Sequence, residues 1–438
     1  MRIFLKLIFI FCLLTSCKKS TTLFTKLDKS DTGIDFKNWN AETEGGNILI
    51  YEYLYNGGGV ALGDVNNDGL LDIYFTSNSY ENKLYLNKGN LEFEDITEVS
   101  GTVCEPGWKT GVCMVDINGD GWLDIYVSRS GHDDAAMRKN ILLINNKDLT
   151  FTDKAEAYGL ADDSYSTQAS FFDYDHDGDL DAFLLNHSLL RISNSFDITN
   201  RNSTKRYPYV GNKLLRNDNG KFVDVSDSLG VYGPGSNYGL GISMSDLNND
   251  SWTDVFTGCD YTGRDRLLLN MKSKFFKDAT DSILSHISKF TMGTDIADFN
   301  GDGLMDIVTL DMLPEDNRRQ KLLQGADRYN AFNQMVQSGL HYQYMRNMLH
   351  VNMGNGYFSE AGQLAGISNT DWSWAPLIAD FDNDGVQDLF VSNGFKRDLT
   401  NNDFAKYHAF QQIEEARRQG KQISLLELIE KFKENKIH

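Results

Sequence analysis

Residues 64–72 read DVNNDGLLD, and the same nine-residue pattern, D-x-[DN]-x-D-[GS]-x-x-D, recurs five more times along the chain. The other copies are DINGDGWLD from Asp116, DYDHDGDLD from Asp173, DLNNDSWTD from Asp246, DFNGDGLMD from Asp298 and DFDNDGVQD from Asp380. Their start positions lie 52 to 82 residues apart. A minimum period near 50 residues is typical of one propeller blade, so the longer intervals should hold insertions.

The sequence around each copy predicts four β-strands per repeat. A run of small and apolar residues precedes each motif and a β-rich run follows it, so two strands should flank each acidic loop. Five repeats continue with a third strand (KLYLN, NILLIN, KLLRN, RLLLN, MLHVN) and a fourth that opens on Phe (FEDIT, FTDKA, FVDVS, FFKDA, FSEAG). The sixth repeat has only the pair around its motif. This pattern predicts an all-β propeller of four-stranded blades.

The chemistry of the nine-residue loop indicates a calcium site. Side-chain oxygens at positions 1, 3, 5 and 9, together with the carbonyl of position 7, supply most of the six to eight oxygen ligands that Ca²⁺ prefers. Glycine at position 6 permits the positive φ of a tight turn. The predicted ligands are Asp64, Asn66, Asp68, Leu70, Asp72; Asp116, Asn118, Asp120, Trp122, Asp124; Asp173, Asp175, Asp177, Asp179, Asp181; Asp246, Asn248, Asp250, Trp252, Asp254; Asp298, Asn300, Asp302, Leu304, Asp306; Asp380, Asp382, Asp384, Val386 and Asp388.

These loops differ from an EF-hand, which needs a bidentate Glu at position 12 and a following helix. Position 12 here is Phe, Val, Leu, Thr, Thr and Val in turn, all within predicted strands. We therefore expect up to six Ca²⁺ ions, one per loop, with a structural role. The fourth loop is the weakest candidate because Ser251 replaces the glycine.

The amino terminus has the pattern of a lipoprotein signal. Residues 1–17 read MRIFLKLIFIFCLLTSC, with two basic residues, an apolar stretch too short to span a bilayer, and small residues before a cysteine. The last four resemble a bacterial lipobox, which predicts cleavage after residue 16, lipidation of Cys17 and an outer-membrane lipoprotein. A simple signal peptide cut elsewhere and an N-terminal anchor helix are the alternatives.

Composition excludes several classes of function. The chain of 438 residues has a net charge of −20, so it should repel nucleic acid. Its hydrophobic fraction of 41% is that of a packed protein rather than a disordered acidic chain. The sequence contains no G-x-S-x-G elbow, P-loop, H-E-x-x-H motif or dinucleotide fingerprint.

At this point the chain resembles a known family. The loops and their flanking strands are similar to the FG-GAP/VCBS repeats of integrin-α-type seven-bladed propellers. Several longer stretches, and their order along the chain, resemble those of bacterial surface lipoproteins related to cartilage acidic protein 1. The matching stretches are YNGGGVALGDVNNDG, FFDYDHDGDLDAFLLNHS, LDMLPEDNRRQK, TDWSWAPLIADFDNDG and NGFKRDLTNNDF. The resemblance covers about residues 30 to 410. It implies a calcium-rigidified binding module without catalytic activity.

The expected domains are a signal peptide over residues 1–16, a lipidated tether over 17–30, the propeller over 31–398 and a helical tail, or the start of absent sequence, over 399–438. Within the tether, residues 24–27 are a candidate closing strand. Because the sixth repeat lacks its outer strands and the family has a seventh blade, the chain is either a fragment of a longer protein or a degenerate propeller that ends in helices. Residues 314–337 predict a helix that opens at Pro314. Thr400–Asp403 and Ser424–Glu427 resemble capping boxes of two further helices.

The expected partner is a glycan or a cell-surface protein, and the membrane is contacted through the lipid anchor only. Aromatic residues on loops are the candidate contacts, because their rings can stack on sugars or bury at an interface. The candidates are Tyr207, Tyr209, Trp372 and Trp374. The alternative is a polysaccharide-acting glycoside hydrolase or lyase, whose carboxylates would be dispersed among distant loops.

Overall fold

The structure is a computed structural model that describes residues 22–104, 106–188, 206–231, 233–261, 263–323, 329–397, 401–403, 410–421 and 423–432. The predicted signal peptide and Cys17 therefore lie outside the described residues. Within those ranges, no helix combines the length and the apolar character needed to cross a bilayer.

Five four-stranded antiparallel sheets and one two-stranded sheet form the body of the protein, numbered here one to six in chain order. Their strands are β1 (Val60–Gly63), β2 (Asp72–Phe75), β3 (Lys83–Asn87), β4 (Phe93–Asp95); β5 (Trp108–Val115), β6 (Asp124–Ser130), β7 (Ile141–Asn145), β8 (Phe151–Asp153); β9 (Ser166–Phe172), β10 (Asp181–Asn186), β11 (Lys213–Asn217), β12 (Phe222–Asp224); β13 (Gly239–Ser245), β14 (Asp254–Cys259), β15 (Arg266–Asn270), β16 (Phe276–Asp278); β18 (Gly293–Ala297), β19 (Asp306–Leu310), β21 (Met348–Asn352), β22 (Phe358–Glu360); and β23 (Ser373–Ala379), β24 (Asp388–Asn393). The predicted third and fourth strands are confirmed in all five sheets, and the sixth sheet is the predicted pair.

The strands follow one another across each sheet, so neighbours in sequence are hydrogen-bonded neighbours in space. The register of β1 and β2 runs from Val60 opposite Phe75 to Gly63 opposite Asp72, which leaves the acidic motif as the hairpin loop. The loops are named one to six after their sheets. A further short parallel pair, β17 (Ile287–Ser288) and β20 (Gln343–Tyr344), borders the fifth sheet.

The first strands of successive sheets lie side by side, β1 against β5, β5 against β9, and so on to β23. Their backbones approach closely. A Cβ atom added at Gly293 would lie 2.0 Å from the carbonyl oxygen of Trp374, and one at Gly111 would lie 2.6 Å from that of Thr167. The glycines in these first strands are therefore required by the contact between sheets.

Separate apolar cores lie between consecutive sheets. The first core joins Tyr74 and Leu84 of sheet one to Ile125 and Val127 of sheet two, and these four side chains are fully buried. Equivalent clusters join sheets two to three, three to four, four to five and five to six. Each fully buried aliphatic side chain of this kind contributes about 1.5–3 kcal/mol. The arrangement is consistent with a repeat-based β-propeller-like fold, and no described sheet closes on itself.

The amino-terminal segment connects the sixth sheet to the first. The ring of Phe24 lies 5.7 Å from that of Phe381 in loop six, and the ring of Phe36 stacks on Phe75 of β2 at 4.7 Å. The hydroxyl of Tyr85 donates to Asp35 at 3.1 Å. Residues 24–27, the candidate closing strand, have no strand structure.

Nine short helices lie within the described residues: α1 (Lys29–Thr32), α2 (Thr97–Ser100), α3 (Ala135–Arg138), α4 (Ala155–Tyr158), α5 (Thr280–Ile283), α6 (Asn317–Leu323), α7 (Tyr329–Gln337), α8 (Phe410–Arg418) and α9 (Leu425–Phe432). The helix of the insertion was predicted to open at Pro314, but it begins at Asn317. It starts there because Asp316 Oδ1 accepts the N–H of Arg319 at 2.8 Å and caps the helix.

The carboxyl-terminal helix α9 packs back onto the body. The predicted capping box at its start is confirmed: Ser424 Oγ accepts the N–H of Glu427 at 3.1 Å, and Glu427 accepts the N–H of Ser424 at 3.2 Å. Ile429 is fully buried against Ile48 and Leu54. Thr400, the first residue of the other predicted box, lies outside the described residues.

Candidate metal-binding loops

All six loops share one hydrogen-bonded geometry. In loop one, the carboxylate of Asp64 accepts the N–H of Asp68 at 3.1 Å and that of Gly69 at 2.7 Å, and Asp68 accepts the N–H of Leu70 at 2.9 Å. The same three bonds recur in loops two to six. The carboxylates of positions 1 and 5 are therefore held towards the inside of each turn.

The turn requires left-handed backbone at two positions. Position 6 has a positive φ in every loop, as predicted, and Ser251 adopts it at 71° where the other loops have glycine. Position 4 is left-handed too, at 58° for Asn67 and 61° for His176. Asparagine and glycine tolerate this region best, which explains why one or the other occupies position 4 in every loop except loop three, where it is His176.

Loop three concentrates the most negative charge. The carboxylate oxygens of Asp173, Asp175 and Asp177 lie within 4.8 Å of one another, as do those of Asp380, Asp382 and Asp384 in loop six. Oδ1 of Asp175 and Oδ1 of Asp179 are buried and accept no hydrogen bond from the described residues. Burial, together with the neighbouring carboxylates, raises the pKa of Asp175 and raises that of Asp179 to about 6. Buried oxygens without donors and crowded carboxylates are the surroundings that a hard cation requires.

Asparagine replaces aspartate at position 3 in loops one, two, four and five. The oxygen of that asparagine still faces the turn, because Asn66 Oδ1 accepts the N–H of Asp68 at 3.1 Å. A lysine approaches loop two, where Lys147 Nζ lies 3.2 Å from Asp120 Oδ2. These loops therefore carry fewer charges than loops three and six with the same oxygen framework.

The aspartate at position 9 joins the loop to the third strand. Asp72 is fully buried, and its two oxygens accept the N–H of Val65 at 2.9 Å and of Asn87, the last residue of β3, at 2.8 Å. The other four-stranded sheets repeat both bonds. Burial raises the pKa of Asp124 to about 6 and those of Asp181 and Asp254 to about 7. Position 9 thus has a structural role, in addition to its predicted role as a ligand.

The asparagine that ends each third strand was missed by the sequence reasoning. Asn145 Nδ2 donates to the carbonyl of Leu123 in its own sheet at 3.1 Å and to that of Val65 in sheet one at 2.8 Å. Asn270 and Asn352 likewise donate to carbonyls of the preceding sheet, at 2.8 and 2.9 Å. The sequence contains a signal for this role, since all five predicted third strands end in Asn.

Adjacent loops contact one another on the same side of the protein. Asn67 Nδ2 of loop one donates to the carbonyl of Gly121 in loop two at 3.1 Å. His176 of loop three stacks on Trp252 of loop four. Loops one and two, and loops three and four, are therefore in direct contact.

The predicted ligand-binding aromatics fall into two places. Trp372 and Trp374 belong to one cluster with Phe395, whose ring stacks on Trp372 at 3.9 Å, and Trp374 Nε1 donates to the carbonyl of Gly394 at 2.6 Å. Both tryptophans are half-buried in this cluster. Tyr207 and Tyr209 lie apart from it. The ring of Tyr209 is 46% exposed and lies 5.4 Å from the guanidinium of Arg138.

A second group that the sequence reasoning missed surrounds Tyr53, at the ends of the second strands. The ring of Tyr53 packs 4.6 Å from that of His187, and its hydroxyl donates to Asp260 at 3.3 Å. His187 Nε2 lies 2.6 Å from the hydroxyl of Ser130. All four side chains are buried, and burial raises the pKa of Asp260 to about 8 and lowers that of His187 to about 3. This packed cluster connects sheets two, three and four.

Comparison with known proteins finds FG-GAP-like repeats at residues 44–127, 246–309 and 339–391. No curated protein matches the chain. Among 99 matching chains of solved structures are the V. cholerae biofilm matrix protein Bap1 (12% identity, TM-score 0.34) and the exo-inulinase of Aspergillus awamori (11% identity, TM-score 0.31). The matches cover 68% and 58% of this chain, but only 38% and 57% of those proteins.

Proposed function

We propose that this protein is a calcium-binding propeller scaffold of the cell envelope that presents its surface to a glycan or protein partner. The observation that carries the proposal is loop three, where three carboxylates converge and where Asp175 Oδ1 and Asp179 Oδ1 are buried with no hydrogen-bond donor among the described residues. Each loop would hold one Ca²⁺ through the side chains of positions 1, 3, 5 and 9 and the carbonyl of position 7. Bound calcium supplies positive charge that offsets the repulsion among these carboxylates.

The arrangement of the loops supports a structural role for the metal. One loop occupies the same hairpin of every sheet, and in the five four-stranded sheets the position-9 aspartate connects its loop to the end of the third strand. A cation held in the loop would therefore stiffen the hairpin from which the sheet is built. Ions that bind only the folded state stabilise it by about 2.7 kcal/mol per site at a hundredfold excess over Kd.

The place of the scaffold in the cell rests on the amino-terminal sequence. Residues 1–17 carry the lipobox-like pattern, so we propose that Cys17 is lipidated and attaches the protein to the outer membrane. The net charge of −20 supports a partner other than nucleic acid. The FG-GAP-like repeats support a propeller that serves as a binding module.

The test is a thermal melt in chelator and across a calcium series, with bound metal counted by mass spectrometry. We expect a cooperative transition whose midpoint rises with calcium and much less with equal magnesium. Asp177→Asn should remove one ion and about 2.7 kcal/mol of calcium-dependent stability at a hundredfold excess over Kd. Asp175→Asn gives loop three the donor set of loop one, and should keep its ion.

The control is Asp133→Asn, which removes an exposed carboxylate outside the loops. It should leave both the ion count and the calcium response unchanged. A melting temperature that is the same in chelator and in millimolar calcium would refute the metal sites. A loss of response in Asp133→Asn equal to that in Asp177→Asn would show that general charge, rather than the loop, is responsible.

A further inference from the structure

The sixth sheet ends on an open edge. It consists of β23 and β24, and among the described residues no third strand pairs with β24. In each of the other five sheets the second strand lies between the first and the third. The second strands of sheets two to five are buried along their whole length, whereas no residue of β24 is buried. The outer edge of β24 can therefore accept main-chain hydrogen bonds from another strand.

This edge lacks the features that protect the edges of the other sheets. The outermost strand of each four-stranded sheet is three residues long and contains an acidic residue: FED, FTD, FVD, FKD and FSE. Short, charged edge strands discourage pairing with another chain. β24 has six residues, with Leu389, Phe390 and Val391 in succession and neither Lys nor Pro. It therefore has the composition of an internal strand at the edge of a sheet.

Asp388, at position 9 of loop six, lacks the partner that a third strand provides. In the five four-stranded sheets the position-9 carboxylate accepts the N–H of the Asn that ends the third strand, at 2.7–2.8 Å. Asp388 Oδ2 accepts the N–H of Phe381 at 3.1 Å, but Oδ1 accepts no hydrogen bond from the described residues. An added third strand would supply the N–H group that Oδ1 lacks.

The other sheets show which side chain belongs beside β24. The residue two positions after the position-9 aspartate is paired with a leucine of the third strand in all five sheets: Leu84, Leu142, Leu214, Leu267 and Leu349. These leucines are at most 2% exposed. The equivalent residue of β24 is Phe390, which is 48% exposed and whose ring lies 6.4 Å from that of Phe24. A leucine beside Phe390 would bury apolar surface that is now in water.

The third strands of the chain define the sequence that fits this edge. They read KLYLN, ILLIN, KLLRN, RLLLN and MLHVN, so they share Leu at the second position and Asn at the fifth. All five are paired inside their own sheets, and a folded second copy of the chain therefore has none of them to offer. Pairing of two copies through β24 would also bring together two chains of net charge −20. The edge therefore favours a strand from a different protein.

We propose that β24 binds an extended segment of a partner protein, which pairs with it as an antiparallel third strand of the form x-Leu-x-x-Asn. The N–H of the Asn bonds to Asp388 Oδ1, and the leucine lies beside Phe390. Main-chain pairing supplies affinity in such complexes, and the side chains at alternate positions supply specificity. This inference rests on the proposed scaffold function and makes its partner a protein strand rather than a glycan.

The probe is a fluorescently labelled synthetic peptide of residues 82–97, NKLYLNKGNLEFEDIT, which carries the third and fourth strands of sheet one. It is titrated into the calcium-loaded protein and followed by fluorescence anisotropy. We expect saturable binding. Hydrogen exchange measured by mass spectrometry should slow at residues 388–393 when the peptide is bound, because their main-chain groups become paired.

Two changes in the peptide test the pairing while the protein stays the same. Leu84→Asp places a charge against Phe390, and methylation of the main-chain nitrogen of Asn87 removes the N–H that Asp388 would accept. Each change should weaken binding at least tenfold, since each leaves a polar or charged group without a suitable partner.

Phe390→Ser in the protein removes the ring that the leucine contacts and should weaken binding of the unmodified peptide at least fivefold. The matched control is Phe275→Ser, because Phe275 is 46% exposed and precedes β16 in sheet four. It should change affinity less than twofold. Melting temperatures of both variants show that each is folded.

Three results would overturn the assignment. They are equal binding of the unmodified and N-methylated peptides, unchanged hydrogen exchange at residues 388–393, and a homodimer in sedimentation that Phe390→Ser dissociates and the peptide does not, which would make a second copy the occupant of the edge. The calcium-dependent melt is recorded on the same samples. A normal calcium response without peptide binding refutes this inference alone, whereas a missing calcium response refutes the proposed function.

Discussion

The imidazole of His176 stacks on the indole of Trp252, with ring centroids 4.0 Å apart and planes 12° from parallel. These residues belong to loops three and four, which are separated in sequence by the last three strands of sheet three and the first strand of sheet four. The contact therefore couples two candidate metal loops directly.

A double-mutant cycle can measure this coupling with substitutions taken from the protein's own repeats. His176→Asn keeps a residue that tolerates position 4, as in Asn67, and Trp252→Leu introduces the residue found at position 7 of loop one. We expect a coupling energy of about 0.5–1.5 kcal/mol in urea unfolding of the calcium-loaded protein. Additive effects of the two substitutions would show that the stack contributes nothing.

The asparagine at the end of the third strand should contribute more in sheet two than in sheet one. Asn145 donates to the carbonyls of Leu123 and, in the neighbouring sheet, of Val65, whereas Asn87 donates to the carbonyl of Leu71 in its own sheet, and the change to Ala removes these bonds. Both asparagines also accept one local N–H. We expect Asn145→Ala to lower the free energy of unfolding by about 1 kcal/mol more than Asn87→Ala. Equal losses would contradict a stabilising bond between sheets.

His350 should make stability depend on pH. Its ring is fully buried and neither nitrogen has a hydrogen-bond partner among the described residues. Burial lowers its pKa to about 4, with Glu360 opposing the shift and His286, His341 and Arg346 adding to it. Between pH 6.5 and 4 the unfolded chain binds the proton that the folded chain refuses, so this residue makes stability fall as pH falls through that window.

The equivalent positions of sheets two, three and four hold Leu143, Leu215 and Leu268, so His350→Leu restores the residue of the repeats. We expect a gain in the free energy of unfolding on the order of 1–3 kcal/mol at pH 4.5 and a smaller gain at pH 8. Urea unfolding at both pH values measures it. The exposed His132, changed to Gln, is the control and should leave the pH dependence as it is. A gain from His350→Leu that is the same at both pH values would rule out protonation as its cause.

Ile429 should hold the carboxyl-terminal helix on the body of the protein. It is buried against Ile48 and Leu54, and its carbonyl accepts a bond from Arg397 Nη1 at 2.7 Å. Ile429→Ala should cost about 2–5 kcal/mol of local stability and speed limited proteolysis around α9 by a large factor. Leu425→Ala, on the same helix at 38% exposure, should have little effect. Equal cleavage rates would mean that the helix is not held by this contact.

The fold was largely predictable because the acidic motif fixes a hairpin and the hydrophobic runs around it fix the strands. The third strands predicted as KLYLN and MLHVN, for example, occur at Lys83–Asn87 and Met348–Asn352. The helix of the insertion was misplaced, since a capping side chain at Asp316 determines its start more strongly than Pro314 does. From one sequence it is hard to decide which of two neighbouring candidate residues starts a helix.

The candidate metal loops were predicted from spacing, but the partners of their residues were not. The buried bonds of Asp72 to Val65 and Asn87 depend on how the third strand is placed, which the motif alone does not encode. The pairing of Lys109 with Arg129 depends on the register of β5 and β6. Both of these contacts lie within one repeat, so the pattern locates the loops and strands, whereas the partners of their side chains require the structure.

The shared carboxylate of position 9 also determines where the chain tolerates changes in length. An extra residue between positions 5 and 9 would pull Asp72 away from either Val65 or the end of β3, so the loop cannot grow without displacing a strand. The connection between the second and third strands is closed only at its base, where Asn82 accepts the N–H of Ser77 in sheet one and Asn347 accepts that of Asp311 in sheet five, so residues can be added beyond that bond. It spans residues 76–82 in sheet one but 187–212 in sheet three and 311–347 in sheet five. The connections that differ most in length lie at that end of the sheets, away from the acidic loops, so one face varies from repeat to repeat while the other stays constant.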